Sequence, residues 1–286
     1  KYLLKQARLL ILPFLLLVCG SILLQILVNH LQEEDLRKLR YLSRVNAIAY
    51  SNRITQDIRS GIQITNCMEE IIINGDGQFS KFQEIAPDLM KDTIQSIQLA
   101  TAGKVTDIYP EEENDAGKID LLHDKARSSY ANYAKEHEMT VLQGPFDLNQ
   151  GGSGIAIRNP VYLEKNGKKE FWGFTIAIIR VPEIFSNSLG ALENFGYEYR
   201  LMKTKAPWSG EYADVYRSGK KLIDPVTYAF SVEGDTWQLQ LMPSQGWMQK
   251  GSGALVQAAG ITIIILISGL LFTVLALEER RRNLKY

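Results

Sequence analysis

Seven side chains in the middle of the sequence are of types that hold a small molecule by charge, hydrogen bonding or stacking. They are Asp107, Tyr109, Gln143, Phe146, Arg158, Tyr162 and Trp172. Arg158 could clamp a carboxylate or phosphate through its planar guanidinium group, and Tyr162 lies further along the same predicted strand. The alternative for Arg158 is a structural salt bridge to Asp107 or Asp120. The residue types therefore predict ligand binding and leave a purely structural role open.

Position within predicted strands decides which of these side chains could reach one ligand. Asp107 and Tyr109 are two residues apart, so both should face the same side of a strand, where a carboxylate and a phenol could converge. Gln143 could present its amide beside the turn that follows it, and Phe146 could form a wall of the pocket. The alternatives are a solvated strand face for the first pair and core packing for Phe146.

Two aromatic residues, Trp172 and Phe174, alternate along a predicted strand and should share one face. Together they could stack on a ring, but aromatic residues at this spacing are more often part of a core. Trp172 is therefore expected in the core, with one edge lining the pocket. The glycines at positions 151, 152 and 154 are interpreted as a flexible turn, because neither a P-loop lysine nor Rossmann spacing accompanies them.

The sequence gives little support for catalysis or for a metal site. The three histidines, His30, His123 and His137, lie outside any His-Glu-x-x-His or Cys-x-x-Cys pattern. Neither a Ser-His-Asp set nor a Gly-x-Ser-x-Gly segment is recognisable. We therefore predict no metal, no cofactor and no enzymatic activity for this chain by itself. An unrecognised enzyme is a weaker alternative.

Two uncharged apolar runs, residues 9–28 and 254–277, dominate the two ends of the chain. At about 1.5 Å of helical rise per residue, each is long enough to cross roughly 30 Å of hydrocarbon. A buried core helix of that length would normally carry a polar stripe, which both runs lack. A cleaved signal peptide would normally have a shorter apolar segment and a small-x-small cleavage site. Both runs are therefore predicted to be transmembrane helices, the first an uncleaved anchor.

Basic residues beside these runs predict the orientation of the chain. Three precede the first run within residues 1–8, and four follow the second within residues 280–285. Because positive residues stay on the cytoplasmic side, both termini are predicted to be cytoplasmic and residues 29–250 extracytoplasmic, in the inner membrane of the cell. The lipid bilayer is thus one expected partner. Residues 29–250 carry 25 basic and 30 acidic side chains, which argues against nucleic acid as another.

A long amphipathic helix is predicted to follow the first apolar run. Apolar residues such as Leu36, Leu39, Ile54 and Ile58 recur mostly every three or four positions, with charged residues between them. We interpret this segment as a stalk that packs against its own domain, although a dimer seam would have similar spacing. The Asn-Gly-Asp-Gly segment at residues 74–77 should end the helix.

Beyond residue 87, short β-rich runs alternate with turn residues and predict two sheets. The first, antiparallel and flanked by helices, takes strands at 94–99, 105–109, 140–142, 154–157 with 160–164, and 170–179, and a helix at 120–138. A helix at 181–194 leads to a smaller sheet near the membrane, with strands at 198–203, 213–216, 221–223, 228–232 and 236–241.

Ordered sequence blocks across residues 70–250 resemble the CHASE sensory domain. They include Gly103-Lys-Val, Asp107-Ile-Tyr-Pro, Asn114, Gly144-Pro-Phe-Asp-Leu, Gln150-Gly-Gly-Ser-Gly, Arg158-Asn-Pro-Val-Tyr, Phe171-Trp-Gly-Phe and Gly234-Asp-Thr-Trp. The resemblance implies an α+β fold with two PAS-like antiparallel sheets on a long stalk helix, flanked by two transmembrane helices. It also implies a small molecule bound in the membrane-distal sheet and a cytoplasmic signalling enzyme. Plant members bind cytokinins, but this sequence looks closer to bacterial members.

These elements predict seven segments along the chain. They are a cytoplasmic N-terminus at 1–8, transmembrane helices at 9–28 and 254–277, a stalk helix at 29–73, a membrane-distal ligand-binding subdomain at 74–190, a membrane-proximal subdomain at 191–250, and the start of a cytoplasmic signalling linker at 278–286.

The predicted function is a receptor that converts the binding of an extracytoplasmic small molecule into movement of the second membrane helix. The charged tail has helical propensity and suggests a following output domain, for which the resemblance favours a diguanylate cyclase and then a histidine kinase. A homodimer is expected, because one pair of helices can signal only by moving relative to a partner. An adhesion or protein-interaction module anchored by two helices is the alternative from another class.

Overall fold

The computed structural model describes residues 2–111, 117, 119–148, 151–247 and 252–284. The helices in these residues are α1 (Tyr2–Asn74), α2 (Phe82–Leu89), α3 (Ser128–His137), α4 (Ser186–Asn194) and α5 (Ser252–Asn283). The strands are β1 (Ile94–Thr101), β2 (Lys104–Tyr109), β3 (Val141–Asp147), β4 (Ser153–Lys165), β5 (Lys168–Val181), β6 (Tyr197–Thr204), β7 (Tyr212–Arg217), β8 (Val226–Val232) and β9 (Asp235–Pro243). The chain divides into two compact units.

The smaller unit comprises Lys1–Leu42 and Gln245–Tyr286. Its two helical segments, from α1 and α5, are long and apolar enough to cross a membrane, each with a mean hydropathy of 2.6 over its most apolar window. Gly260 allows close approach, since a Cβ atom there would lie 2.4 Å from Leu24. The Ser268 hydroxyl donates a 2.9 Å hydrogen bond to the Pro13 carbonyl oxygen. Both apolar runs are thus helical, as predicted.

The larger unit, Ser43–Ser244, begins with the second part of α1. Ile54, Ile58, Met68 and Ile72 are fully buried at intervals that match the turns of a helix, and they pack into a core shared with strands of both sheets. The helix ends at Asn74 and is followed by turn residues. This part of the stalk packs against its own domain, as the apolar spacing predicted.

The first sheet has five antiparallel strands in the order β2-β1-β5-β4-β3. The hairpin between β4 and β5 turns at Asn166 and Gly167, both with positive φ, which is typical of a type I′ turn and agrees with the predicted turn. One face of the sheet packs against α1 and α2 in the stalk-side core. The other face packs against α3 in a smaller α3-side core that includes Val105, Ala131 and Phe174.

Two predicted elements were wrong, and one element was missed. The predicted helix at 120–138 begins only at Ser128, because the side chains of Asp120 and Asp124 accept hydrogen bonds from nearby backbone amides and hold residues 120–127 in turns. No element was predicted at residues 82–89, which form the short helix α2 with Pro87 in its last turn. No strand forms at 221–223 in the described structure, where the side chain of Ile223 is 70% exposed.

The second sheet has four antiparallel strands in the order β7-β6-β9-β8. Trp237, Leu239 and Leu241 alternate along β9 and are fully buried, so one face of this sheet completes the stalk-side core. Lys203 and Asp235 form a fully buried ion pair, with 2.9 Å between Nζ and Oδ2. The α+β class, with two antiparallel sheets and a long N-terminal helix, is confirmed.

Candidate ligand-binding site

A cavity of about 170 Å³ lies on the α3 side of the five-stranded sheet. Side chains from four strands and from the turns before α3 surround it. They include Ser96 and Gln98 from β1, Phe146 from β3, Ala156 and Arg158 from β4, Ile176 and Ile178 from β5, and Arg127 immediately before α3. Apolar walls with a few convergent polar groups are typical of a small-molecule site.

Arg158 is the most unusual residue of this cavity. It pairs with Val141 and Ile176 of the neighbouring strands, which directs its side chain into the α3-side core. The residue is only 4% exposed, and its Nε and Nη1 atoms have no hydrogen-bond partner in the part of the chain that the structure describes. Burial, and then the nearby charge of Arg127, lower the pKa of Arg158 to about 10, so the guanidinium stays charged at neutral pH.

Arg127 brings a second positive charge to the cavity. Its Nη1 atom lies 2.9 Å from Oδ2 of Asp124, and both side chains are partly exposed. Burial alone would raise the pKa of Asp124, but the hydrogen bond from the Ala126 amide and the charge of Arg127 together lower it. Asp124 therefore remains ionised at neutral pH and pairs with Arg127. Arg158, in contrast, forms no ion pair with any of the described residues.

Sequence reasoning missed Arg127, Ser96 and Gln98. The last two are buried on one side of β1, where the Gln98 amide nitrogen donates a 3.1 Å hydrogen bond to the Ser96 hydroxyl. Their alternation with the apolar residues Ile97 and Leu99 was a usable signal, because polar side chains on the inward face of a buried strand need partners.

Two of the seven predicted site residues, Phe146 and Arg158, line the cavity. Gln143 lies close by on β3, where its amide nitrogen donates a 2.9 Å hydrogen bond to the Ala126 carbonyl oxygen while its own Oε1 is buried without a described partner. Arg158 forms neither of the salt bridges considered from the sequence, since Asp120 pairs with His123 instead.

Asp107 and Tyr109 share a side of β2, as expected, but the structure does not bring them into this cavity. Their pairing partners on β1 are Leu99 and Ile97, which belong to the stalk-side core on the opposite face of the sheet. A role for these two residues in ligand binding stays a prediction.

Tyr162 and Trp172 also lie outside the cavity. The Tyr162 hydroxyl donates a hydrogen bond to the Lys135 carbonyl oxygen, and its ring meets Phe171 edge-on at 5.6 Å between centroids. The Trp172 indole donates a 2.9 Å hydrogen bond to the Gly77 carbonyl oxygen and packs against the stalk-side core.

The expectation that Trp172 and Phe174 share a face was wrong. Val161 pairs with Gly173 and Tyr162 pairs with Phe171, so Trp172 is the extra residue of a β-bulge. The bulge reverses the alternation of side chains, which places Trp172 against the stalk-side core and Phe174 in the α3-side core.

Several solved structures have a similar fold, and two of them match as follows. An extracellular ligand binding receptor from Desulfohalobium retbaense DSM5692 has a TM-score of 0.51 at 13% identity, and the match covers 68% of this chain but only 39% of that one. The ligand-binding domain of the Pseudomonas aeruginosa PAO1 amino acid chemoreceptor PctB, in complex with L-Arg, has a TM-score of 0.51 at 12% identity, covering 71% of this chain and 93% of that one. At these identities the likeness shows a shared fold alone.

A search of curated protein sequences found no match to the chain. The CHASE domain model, in contrast, matches residues 34–209, which is more than half of the chain. The match begins within α1 and ends between β6 and β7, so it includes the whole five-stranded sheet and the cavity. It also starts earlier than the sequence blocks from which the resemblance was drawn. The chain therefore belongs to the CHASE domain family.

Proposed function

We propose that this chain is a membrane-anchored receptor that binds a small molecule in the cavity of the five-stranded sheet and controls a cytoplasmic output domain. The observation that carries the proposal is a partly apolar cavity of about 170 Å³ lined by the buried Arg158, whose Nε and Nη1 atoms have no hydrogen-bond partner in the described residues. Such a cavity favours a ligand over a merely structural role, because buried cations in finished cores are normally paired.

The membrane arrangement follows from the two apolar helical segments. Each has a mean hydropathy of 2.6, and basic residues 280–282 lie in the last turn of α5. Under the positive-inside rule this supports cytoplasmic termini and an extracytoplasmic segment at 29–250 in the inner membrane. The boundary at residue 190 between distal and proximal subdomains belongs to the same proposal.

The output domain and the oligomeric state complete the proposed receptor. A diguanylate cyclase is favoured over a histidine kinase on family resemblance alone. A homodimer is supported by apolar side chains on the stalk part of α1, where Tyr41, Leu42 and Val45 are 67%, 45% and 43% exposed. Such a row of exposed apolar residues on one helix is a common interaction surface.

The test of ligand binding uses the whole chain in lipid nanodiscs and a broad metabolite library of charged and neutral molecules. A ligand that binds only the folded state raises Tm. We expect at least one molecule to do so, and we expect the increase to vanish in Ala156→Leu, because the larger side chain would occupy the cavity that Ala156 lines. Ala229→Leu, at an exposed position on β8, is the matched control and should keep the response.

Signalling is tested by joining the chain through its C-terminal helix to a reporter cyclase. The molecule found in the melting screen should change cyclase output in the wild-type fusion and not in Ala156→Leu. If no molecule in the library raises Tm, or if Ala156→Leu and Ala229→Leu respond alike, the proposed receptor function is wrong for this cavity, and a protein-binding module becomes the better hypothesis.

A further inference from the structure

We propose that the ligand of this cavity is a small organic carboxylate with an apolar body, and that its carboxylate group pairs with the guanidinium of Arg158. The inference rests on the proposed ligand-binding function and adds the chemical class of the ligand. The Arg158 side chain is 4% exposed, and its Nε and Nη1 atoms have no hydrogen-bond partner within the described residues. A buried charge of this kind is costly unless an opposite charge accompanies it.

None of the carboxylates in the described residues forms an ion pair with Arg158. Asp120 pairs with His123 at 3.0 Å, and Asp107 lies on the opposite face of the sheet. Asp147 lines the cavity, but no ion pair joins it to Arg158 in the described structure. An anion that enters from solvent would therefore supply the missing partner.

Arg127 strengthens the preference for an anion. It lines the same cavity, and its charge is close enough to lower the pKa of Arg158. Arg127 pairs with Asp124, but only Arg127 of the two lines the cavity that Arg158 also lines. A zwitterionic amino acid would bring an ammonium group near these two guanidinium groups and would be repelled. A simple carboxylate carries no such charge.

The size and walls of the cavity restrict the rest of the molecule. A volume of about 170 Å³ is close to that of a cavity of about 150 Å³ known to hold benzene, so the ligand should have roughly six to ten non-hydrogen atoms. Phe146, Ile176 and Ile178 line the cavity with apolar surface. A ligand with an apolar body would be favoured, because it would bury that surface away from water. An inorganic phosphate ion would neutralise Arg158 but leave these walls without contacts.

The experiment compares carboxylates with neutral molecules of the same shape on the whole chain in nanodiscs. The probes are benzoate and benzamide, phenylacetate and phenylacetamide, and 3-methylbutanoate and its amide, with inorganic phosphate and phenylalanine as further arms. We expect at least one carboxylate to raise Tm, with its amide binding about 30-fold more weakly or worse because the charge pair is lost. Neither phosphate nor phenylalanine should match it.

Arg158→Met provides a readout that needs no ligand. Removing an unpaired buried cation while keeping an apolar stem should raise Tm of the unliganded chain by about 2–8 °C and abolish the response to carboxylates. Arg200→Met is the matched control, because Arg200 already pairs with Asp214 at 2.6 Å on the second sheet. It should leave the carboxylate response unchanged and give no increase in Tm.

The outcomes separate this inference from the proposed function. Amides that stabilise as well as their carboxylates, or phosphate that stabilises better, would overturn the carboxylate and keep the receptor. Failure of every carboxylate probe, or a fall in Tm for unliganded Arg158→Met, would also overturn it. The proposed receptor function is wrong for this cavity only if no molecule of the broad library gives an increase in Tm that is lost in Ala156→Leu.

Discussion

The hydroxyl group of Tyr130 donates a 2.8 Å hydrogen bond to the backbone carbonyl oxygen of Lys205. Tyr130 belongs to α3, which starts directly after Arg127 of the cavity, whereas Lys205 directly follows β6 of the second sheet. Trp208 packs beside the same helix, with its ring centroid 5.2 Å from that of Tyr130 and 4.7 Å from that of Tyr133. The element next to the cavity is therefore joined directly to the second sheet.

Tyr130→Phe should lower the free energy of unfolding by about 0.5–1.5 kcal/mol, because the substitution removes one hydrogen bond and keeps the ring against Trp208. Urea unfolding followed by tryptophan fluorescence measures the change. Tyr133→Phe is the control, since the Tyr133 hydroxyl has no hydrogen bond to the described residues while its ring also packs on Trp208. Equal losses for the two variants would show that the Tyr130 hydrogen bond contributes nothing measurable.

Asp57→Asn should stabilise the chain at neutral pH. Burial raises the pKa of Asp57, against the opposing effects of a 2.6 Å hydrogen bond from the Ser188 hydroxyl and the charge of Arg53. A carboxyl group whose folded-state pKa exceeds its unfolded value destabilises the protein above that folded pKa. Since Asp57 is half-buried, we expect a gain below about 1 kcal/mol at pH 7.

The pH dependence provides the control for Asp57→Asn. As the pH falls through the raised folded-state pKa and then below the ordinary value of 3.8, the carboxyl group becomes neutral first in the folded and then in the unfolded state, so wild type and variant should converge. Urea unfolding at a series of pH values checks this. Ser188→Ala removes a hydrogen bond that favours the charged form, so the gain from Asp57→Asn should be larger in that background. A gain that grows on acidification would refute the assignment.

Local signals in the sequence were enough for much of the fold. The break after Asn74 and the turn at Asn166 and Gly167 were predicted correctly, because these residues act through the backbone conformations they permit. The burial of Ile54 and Ile58 followed from helical spacing alone. None of these features depends on residues distant in the sequence.

The parts that could not be predicted depend on long-range pairing. Arg158 and Phe146 share the cavity with Arg127 only because β3, β4 and the turns before α3 come together in three dimensions. The face on which a strand residue lies also depends on irregular pairing, as the bulge at Trp172 demonstrates. Alternation alone therefore assigned Trp172 to the wrong face.

Gly173→Ala should destabilise the chain by more than about 1 kcal/mol. Gly173 has a φ of +154°, and a Cβ atom there would lie 2.1 Å from the carbonyl oxygen of Ala100 on the neighbouring strand. The substitution would therefore force β1 and β5 apart at the bulge. Gly190→Ala is the matched control, because no atom lies within 4 Å of its added Cβ and alanine favours the helix α4. Thermal unfolding of both variants distinguishes a requirement for glycine at the bulge from a general effect of the substitution.

Cysteine crosslinking in native membranes tests the proposed homodimer. In a background with Cys19→Ser and Cys67→Ser, Leu42→Cys and Val45→Cys should each give a disulfide-linked dimer, because both positions are exposed on the stalk. A disulfide needs Cα atoms within about 7 Å, so crosslinking reports close and symmetric approach of two stalks. Ile58→Cys, at a fully buried position that faces its own domain, should not crosslink. Absence of dimer at both exposed positions would mean that the stalks do not meet through this surface, and the receptor would then have to transmit its signal through another contact between chains.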